Sequence, residues 1–234
     1  MKTKLTLLAS TAAAALALAV PAQAAGNFYV GVFGGANWVK DHSFSVATTP
    51  TASADTLSWA TDGDSGWIVG GAVGMSLNQL MGGLRAEVEV AYRENQVDGL
   101  WVSNVTTPTT VSSGALDIDH STFSVMANLW YDFDVGGISP YIGGGIGWAE
   151  TELEGAYLGG AVSPAPFSFS DSGFAWQLGA GVNFDVSPNI KLGVGYRYFE
   201  GPDVTVGAVN AANSATADVD SENHSAIVSL TFGM

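Results

Sequence analysis

"GLRAEVEVAYREN", residues 83–95, is the stretch that decides the fold class, because apolar and polar side chains alternate along it almost without a break. The apolar positions are Leu84, Ala86, Val88, Val90 and Tyr92, and the charged positions between them are Arg85, Glu87, Glu89 and Arg93. Successive side chains of a strand point to opposite faces, so a period of two predicts a β-strand. The open question is which of the two faces meets water.

Seven further segments alternate in the same way, and long 3.6-residue periodicity is missing between them. The eight segments cover residues 27–38, 66–77, 83–95, 120–134, 140–150, 173–185, 190–200 and 223–234. Each is close to the ~9–11 residues with which a tilted strand crosses a bilayer. Short turns follow the second, fourth and sixth segments, whereas long polar connections cover residues 39–65, 96–118, 151–172 and 201–222. The chain therefore predicts antiparallel strands with all long loops at one end.

The first 24 residues have the three parts of a secretory signal. Lys2 and Lys4 form a basic start, residues 5–20 are apolar, and Ala-Gln-Ala at 22–24 is a small-residue cleavage site. A membrane-anchor helix is the alternative, but the apolar stretch is short for a span. We therefore expect residues 1–24 to be a cleaved signal peptide and residues 25–234 to form one exported domain.

The mature chain is strongly acidic and has no cysteine. Without Lys2 and Lys4 it keeps 5 basic residues against 22 acidic ones, a formal charge of −17. Nucleic acid is not expected as a partner, because phosphates are bound by clustered Lys and Arg. Neither disulfides nor thiolate metal sites stabilise this exported protein. No later segment reaches 18 uninterrupted apolar residues, so no transmembrane helix is expected.

The composition of the two faces distinguishes a soluble barrel from a membrane barrel. A soluble barrel would enclose the apolar face around a ligand and place charges outside. Here the polar face is mostly Gly, Ser, Thr, Asn and Gln, whereas the apolar face carries aromatic residues toward the strand ends, as at a membrane surface. We therefore expect an all-β fold: a closed eight-stranded antiparallel transmembrane β-barrel with short periplasmic turns and long extracellular loops.

Three stretches carry a family resemblance: "FYVGVFGGANW" (28–38), "PYIGGGIGWA" (140–149) and "FAWQLGAGVNFDVSPNIKLGVGYRYF" (174–199). They resemble the opacity/OmpA-like outer-membrane β-barrel family of Gram-negative bacteria, a porin-like outer membrane protein β-barrel domain. The resemblance implies eight antiparallel strands in the cell outer membrane and loops at the cell surface. It implies no catalytic activity.

Eight strands enclose a lumen just wide enough to be filled by side chains. The candidate site is a lumen charge network of Arg85, Glu87, Glu89, Arg93, Lys191 and Arg197, and the polar residues Asn128, Gln177 and Asn183 are expected to line the lumen with it. Charges confined there need partners, so we expect Glu87 and Glu89 to meet Arg197, Lys191 or Arg85. Such a network favours a plug that fixes register and rigidity, and ion conduction along a narrow or gated water path is the alternative.

The long connections hold most of the acidic residues, as in "TDGDSG" (61–66), "ETELE" (150–154) and "DVDSE" (218–222). Their oxygens are the kind that bind calcium, but none has the full calcium-loop spacing, so we expect no dedicated metal site. A solvated, repulsive surface is the simpler interpretation. We keep the hypothesis that weakly bound divalent cations bridge these carboxylates to lipopolysaccharide phosphates.

Nucleophilic catalysis is not expected either. The histidines are His42, His120 and His224, and the last two directly precede Ser121 and Ser225. Adjacent strand residues face opposite ways, so this adjacency does not build a triad. The Gly-rich stretch "GGGIG" (143–147) lies within a predicted strand and is not followed by a helix, so no phosphate-binding loop and no cofactor are expected.

We expect a non-enzymatic barrel that serves envelope structural integrity or cell-surface interaction through its acidic loops. A narrow porin-type channel for small solutes or ions is the alternative. The expected partners are the lipid bilayer, lipopolysaccharide, a host or surface ligand, and weakly bound divalent cations.

Overall fold

The computed structural model describes residues 28–39, 43–48, 55–62, 65–106, 109–158, 165–210, 213–219 and 221–233. The predicted signal peptide, residues 1–24, lies outside these ranges. Within them, no helix is long and apolar enough to cross a membrane.

The described residues form twelve β-strands. In chain order they are β1 (Phe28–Val39), β2 (Ser43–Thr48), β3 (Asp55–Asp62), β4 (Ser65–Ser76), β5 (Leu84–Thr106), β6 (Thr109–Asp132), β7 (Ile138–Leu158), β8 (Ala165–Ser187), β9 (Ile190–Glu200), β10 (Val204–Asn210), β11 (Asn213–Val219) and β12 (Glu222–Phe232).

Eight of these strands close into an antiparallel barrel. Their order around it is β5-β4-β1-β12-β9-β8-β7-β6, and β6 pairs with β5 again. These are the eight segments that the alternation predicts, so the fold class is confirmed. Closure matters in lipid, because a free sheet edge there would leave backbone groups without hydrogen bonds.

The long polar connections differ from the expectation, because much of their length is strand. β5 and β6 continue as one hairpin until Thr106 lies opposite Thr109, and β7 pairs with β8 as far as Tyr157 and Ala165. β2 and β3 add to the outer part of β5, while β10 and β11 pair with each other. The Ser- and Thr-rich composition suggested loops. A sheet that has left the membrane tolerates polar residues on both faces, and Thr favours strands.

The burial pattern answers the question of the two faces. On β5, Glu89 and Arg93 are 0% and 1% exposed, whereas Val88, directly before Glu89, is 52% exposed. On β9, Arg197 is buried and Val194 and Tyr196 are exposed. The charged side chains therefore line the interior and the apolar side chains form the outer surface, the arrangement of a barrel surrounded by lipid.

Aromatic side chains mark one border of this apolar surface. The ring centroids of Trp67 and Tyr92 are 5.5 Å apart, and those of Trp176 and Tyr198 are 5.2 Å apart. Trp148 occupies the corresponding outward position on β7. Such rings favour the headgroup level of a membrane, so β5 to β8 leave the bilayer beyond them.

Short turns connect the barrel strands at the opposite end, over residues 77–83, 133–137 and 188–189. In the second of them, Gly136 and Gly137 have φ angles of 76° and 85°. Side chains with a Cβ rarely adopt these angles, which explains the Gly-Gly pair at this turn.

Candidate functional site

Large side chains fill the lumen of the barrel. The largest that are almost completely buried include Trp130, Arg93, Tyr29, Phe199, Ile68, Met126, Gln177 and Glu89. Glycines on the facing strands make room for them. A Cβ on Gly195 would lie 2.2 Å from the Tyr141 hydroxyl, and one on Gly179 would lie 3.1 Å from the Trp130 ring. The many glycines of the inward face thus allow aromatic rings to lie across the lumen.

An ion pair between Glu89 and Arg197 occupies the middle of the lumen. Arg197 Nη1 donates a hydrogen bond to Glu89 Oε2, and the Glu89 side chain is completely buried. Asn128 Nδ2 donates to the same oxygen at 3.1 Å, and Gln177 Nε2 donates to Oε1 at 3.4 Å. Four strands, β5, β6, β8 and β9, are therefore linked through one carboxylate. A buried charge needs this degree of compensation.

A second cluster lies nearer the short turns and is centred on Arg85. Its Nε and Nη2 donate to the two Asp132 oxygens at 2.5 and 3.0 Å, and its Nη1 donates to the Tyr29 hydroxyl at 2.8 Å. Glu87 accepts hydrogen bonds from Tyr29 at 2.9 Å and from Trp130 Nε1 at 3.1 Å. Arg85 Nη1 lies 3.8 Å from Glu87 Oε2. The main partner of Arg85 is thus Asp132, which the sequence analysis did not include among the site residues although it shares their polar face.

Arg93 is also buried, but no carboxylate pairs with it directly among the described residues. Its Nη1 donates to Ser124 Oγ at 2.8 Å, and its guanidinium lies 3.9 Å from the centroid of the Phe199 ring. Nε and Nη2 have no hydrogen-bond partner in the described part of the chain. The Arg93 guanidinium is therefore held by stacking on the Phe199 ring and by one hydrogen bond to the Ser124 hydroxyl.

Lys191 lies apart from the other predicted site residues. Its Nζ is 3.3 Å from Asp185 Oδ1, and no described contact joins it to Glu87 or Glu89. The register of β8 and β9 places Lys191 opposite Asp185 next to the turn. Arg197 is six residues further along β9, about 20 Å at the usual rise of a strand. We expected Lys191 to be a partner for Glu87 or Glu89, but in the structure it pairs locally with Asp185.

A polar layer that the sequence analysis missed closes the lumen on the other side of Arg93. Asn37 Nδ2 donates to Asn95 Oδ1 at 2.6 Å and to Asn223 Oδ1 at 2.8 Å. Ser225 Oγ donates to Asn37 Oδ1 at 2.6 Å. All four side chains are buried. The available signal was the presence of amide residues at inward positions of three segments, but only the barrel shows that they meet.

In each of the two His-Ser pairs, the histidine and the serine lie on opposite faces of the barrel wall. Ser225 points into the lumen, whereas His224 lies on the outer side with its Nδ1 2.5 Å from the Tyr196 hydroxyl. His120 is buried and Ser121 belongs to the outward row. His42 lies outside the described residues. Neither adjacency brings a histidine and a serine together.

Three glutamates follow Trp148 on the outward face of β7, outside the membrane-spanning segment: Glu150, Glu152 and Glu154. Partial burial, followed by the charges of Glu154 and Glu150, raises the pKa of Glu152 above its ordinary value of 4.5. Across the described ranges, no group of three or more His, Asp or Glu is arranged to hold a metal ion. The acidic segments 61–66 and 218–222 each include residues outside these ranges, so weak cation binding stays a prediction.

We expect Glu152→Gln to stabilise the barrel at neutral pH. A carboxyl group whose pKa is raised on folding stabilises the folded state below its unfolded pKa, and this contribution is lost as the pH rises through the folded pKa. The gain in the urea midpoint should therefore appear at pH 7 and vanish below about pH 4.3, the usual value for glutamate. The control Asp134→Asn removes an exposed carboxylate at the opposite end. An equal gain from the control would assign the effect to net charge alone.

The family model described as "Outer membrane protein beta-barrel domain" matches residues 7–232. An uncharacterized protein of Brucella abortus strain 2308 is 35% identical over 85 residues, which are 33% of this chain and 30% of that protein. An uncharacterized protein of Brucella suis biovar 1 matches with the same values. This chain thus spans under a third of the length of these curated relatives.

Solved structures of outer-membrane barrels also match. Neisserial surface protein A is 17% identical, with 89% of this chain and 99% of that chain covered and a TM-score of 0.43. The outer membrane protein OprG of Pseudomonas aeruginosa is 14% identical, with 90% and 98% covered and a TM-score of 0.48. The Yersinia pestis protein Ail, in complex with the heparin analogue sucrose octasulfate, is 12% identical, with 88% and 100% covered and a TM-score of 0.41.

Proposed function

This chain belongs to the outer membrane protein beta-barrel domain family, and from that premise we propose that it is a non-enzymatic, non-conducting barrel that serves envelope integrity or cell-surface interaction. As a member of this family it lies in the outer membrane, with the apolar outer surface of the barrel in lipid. The short turns then face the periplasm and the extended strands face the outside of the cell.

The filled lumen is the observation that carries this proposal. The Glu89 carboxylate receives side chains from three other strands, and Trp130 lies across the lumen beside it. An ion crossing the barrel would have to separate a desolvated ion pair, which costs several kcal/mol. This arrangement supports a plug rather than a narrow porin-type channel.

The outer end of the barrel supports a role at the cell surface. β2 and β3 widen the sheet beside β5, and β7 presents Glu150, Glu152 and Glu154 outward beyond the aromatic border. Acidic side chains at this height lie close to the phosphate groups of lipopolysaccharide and to any ligand approaching the cell. Contact with the lipid bilayer follows from membership of the family. We propose in addition the contacts with lipopolysaccharide and with a surface ligand.

Planar-bilayer recording of the refolded protein tests the proposal. We expect no steady single-channel conductance from the natural chain. A steady conductance that changes with Glu87→Ala or Arg197→Ala would instead support the porin-type alternative. Replacing Glu150, Glu152 and Glu154 together by glutamine separates the two remaining roles. Envelope integrity should survive this change, whereas binding of a ligand at the cell surface should be lost.

A further inference from the structure

A cavity of about 40 Å³ lies in the lumen between the Glu89–Arg197 pair and the short-turn end. Arg197, Arg85, Asn183, Ser229 and Thr231 contribute polar groups to its lining. Gly193 leaves room for two of these lining side chains, since a Cβ there would lie 2.3 Å from Ser229 Oγ and 2.7 Å from Asn183 Oδ1. The cavity is thus a built feature of the inward faces of β8, β9 and β12.

The chemistry of its inner end calls for a hydrogen-bond acceptor. Arg197 uses Nη1 for Glu89, but its Nε is buried and has no partner in the described part of the chain. An unsatisfied buried N–H costs about 1–3 kcal/mol. A water molecule needs about 10–15 Å³ of such a cavity and two to four polar partners, so the space suits about three waters. The hydroxyl and amide groups of Ser229, Thr231 and Asn183 supply those partners.

Access to this cavity is one-sided. Thr231 and Ser229 are partly exposed near the short-turn end of β12, whereas Ser225 on the same inward face is 0% exposed. Beyond Arg197 the lumen is closed by Arg93 on Phe199 and then by the layer around Asn37. The change from an accessible to a sealed lumen therefore takes place within four residues of β12, between Ser229 and Ser225.

We propose that the periplasmic half of the lumen is a blind vestibule that binds water and small uncharged hydrogen-bonding molecules as far as Arg197. That the vestibule is closed at Arg197 rests on the proposed non-conducting function, whereas its opening to the periplasm does not. The occupants are neutral because the carboxylates of Glu87, Glu89 and Asp132 already compensate the guanidinium groups of Arg85 and Arg197.

Single cysteines test the vestibule, and the natural chain has none to interfere. Thr231→Cys, Ser229→Cys and Ser225→Cys place one thiol each along the inward face of β12. The refolded full-length chain in lipid nanodiscs is treated with methyl methanethiosulfonate, a small neutral thiol reagent, and its mass is followed with time. We expect the first two variants to react at least about tenfold faster than Ser225→Cys, because thiol modification follows exposure.

Two controls make the comparison decisive. Heat-modifiable gel migration shows that each variant is folded, and all three thiols should react at one rate in denaturant. Equal slow rates in the folded state would overturn the vestibule. Equal fast rates without conductance would place the closed end beyond Ser225 and overturn Arg197 as the limit. Fast labelling of Ser225→Cys together with steady conductance would overturn the non-conducting function while keeping periplasmic entry.

Discussion

Glu89→Gln is expected to lower the free energy of unfolding by about 3–5 kcal/mol, because it leaves Arg197 as an uncompensated buried charge. Glu89 is 0% exposed, and its two oxygens accept hydrogen bonds from Arg197, Asn128 and Gln177. Glu89 is also the carboxylate whose charge acts on Arg93. Glutamine keeps the size of the side chain but leaves two buried arginines without this charge. Reversible urea unfolding in lipid vesicles measures the change.

The Lys191–Asp185 ion pair at the short-turn end of the barrel provides the matched control for Glu89→Gln. Asp185→Asn removes the partner of Lys191, but the Asp185 side chain is 45% exposed. Exposed ion pairs contribute at most about 1 kcal/mol, so a small change is expected. Equal losses for Glu89→Gln and Asp185→Asn would contradict a special role for the mid-lumen charge. Adding Arg197→Met to Glu89→Gln should restore part of the stability, since the buried charge is then removed.

Trp130→Ala is expected to cost about 3–5 kcal/mol, the range found when large buried aromatic side chains are truncated. The Trp130 ring meets Tyr141 edge-on with centroids 5.6 Å apart, and the guanidinium of Arg197 lies 5.3 Å from its centroid. Its Nε1 donates to Glu87 at 3.1 Å. The truncation therefore removes packing, a cation–π contact and one hydrogen bond at once. The urea midpoint in lipid vesicles reports the loss.

Two further variants separate these contributions. Trp130→Phe keeps a ring but removes the N–H, so it should cost about 1–3 kcal/mol through the weakened support of Glu87. Leu129→Ala changes the neighbouring residue, which is 55% exposed on the outer surface, and should cost less than Trp130→Ala. A larger loss from Leu129→Ala would reverse the assignment of the two faces of β6.

The sequence predicts the barrel well because its strongest signal is local. Alternation along residues 83–95 requires no knowledge of the neighbours of that segment, and it places Arg85 and Glu89 on one face and Val88 on the other. The same signal underestimates the strands beyond the membrane. Residues 96–106 and 109–118 mix apolar residues with many polar ones, and their pairing depends on a hairpin that continues from the barrel.

The contacts inside the lumen are predicted only in part. Glu89 meets Arg197, one of the partners that we expected, but Arg85 pairs mainly with Asp132 and Lys191 pairs with Asp185. The layer of Asn37, Asn95 and Asn223 joins residues up to 186 positions apart. No spacing along the chain contains that information.

The sequence by itself determined that this protein is built of strands, which side chains face inward, and that the inward face is polar, because a period of two is a property of each segment alone. Only the tertiary structure decided which charges meet. Lys191 and Arg197 share the inward face of β9, yet the register of the closed barrel places them at different heights in the lumen. Ion pairs and hydrogen bonds act over a few ångströms, so height and cross-lumen distance, rather than residue type, select the partners.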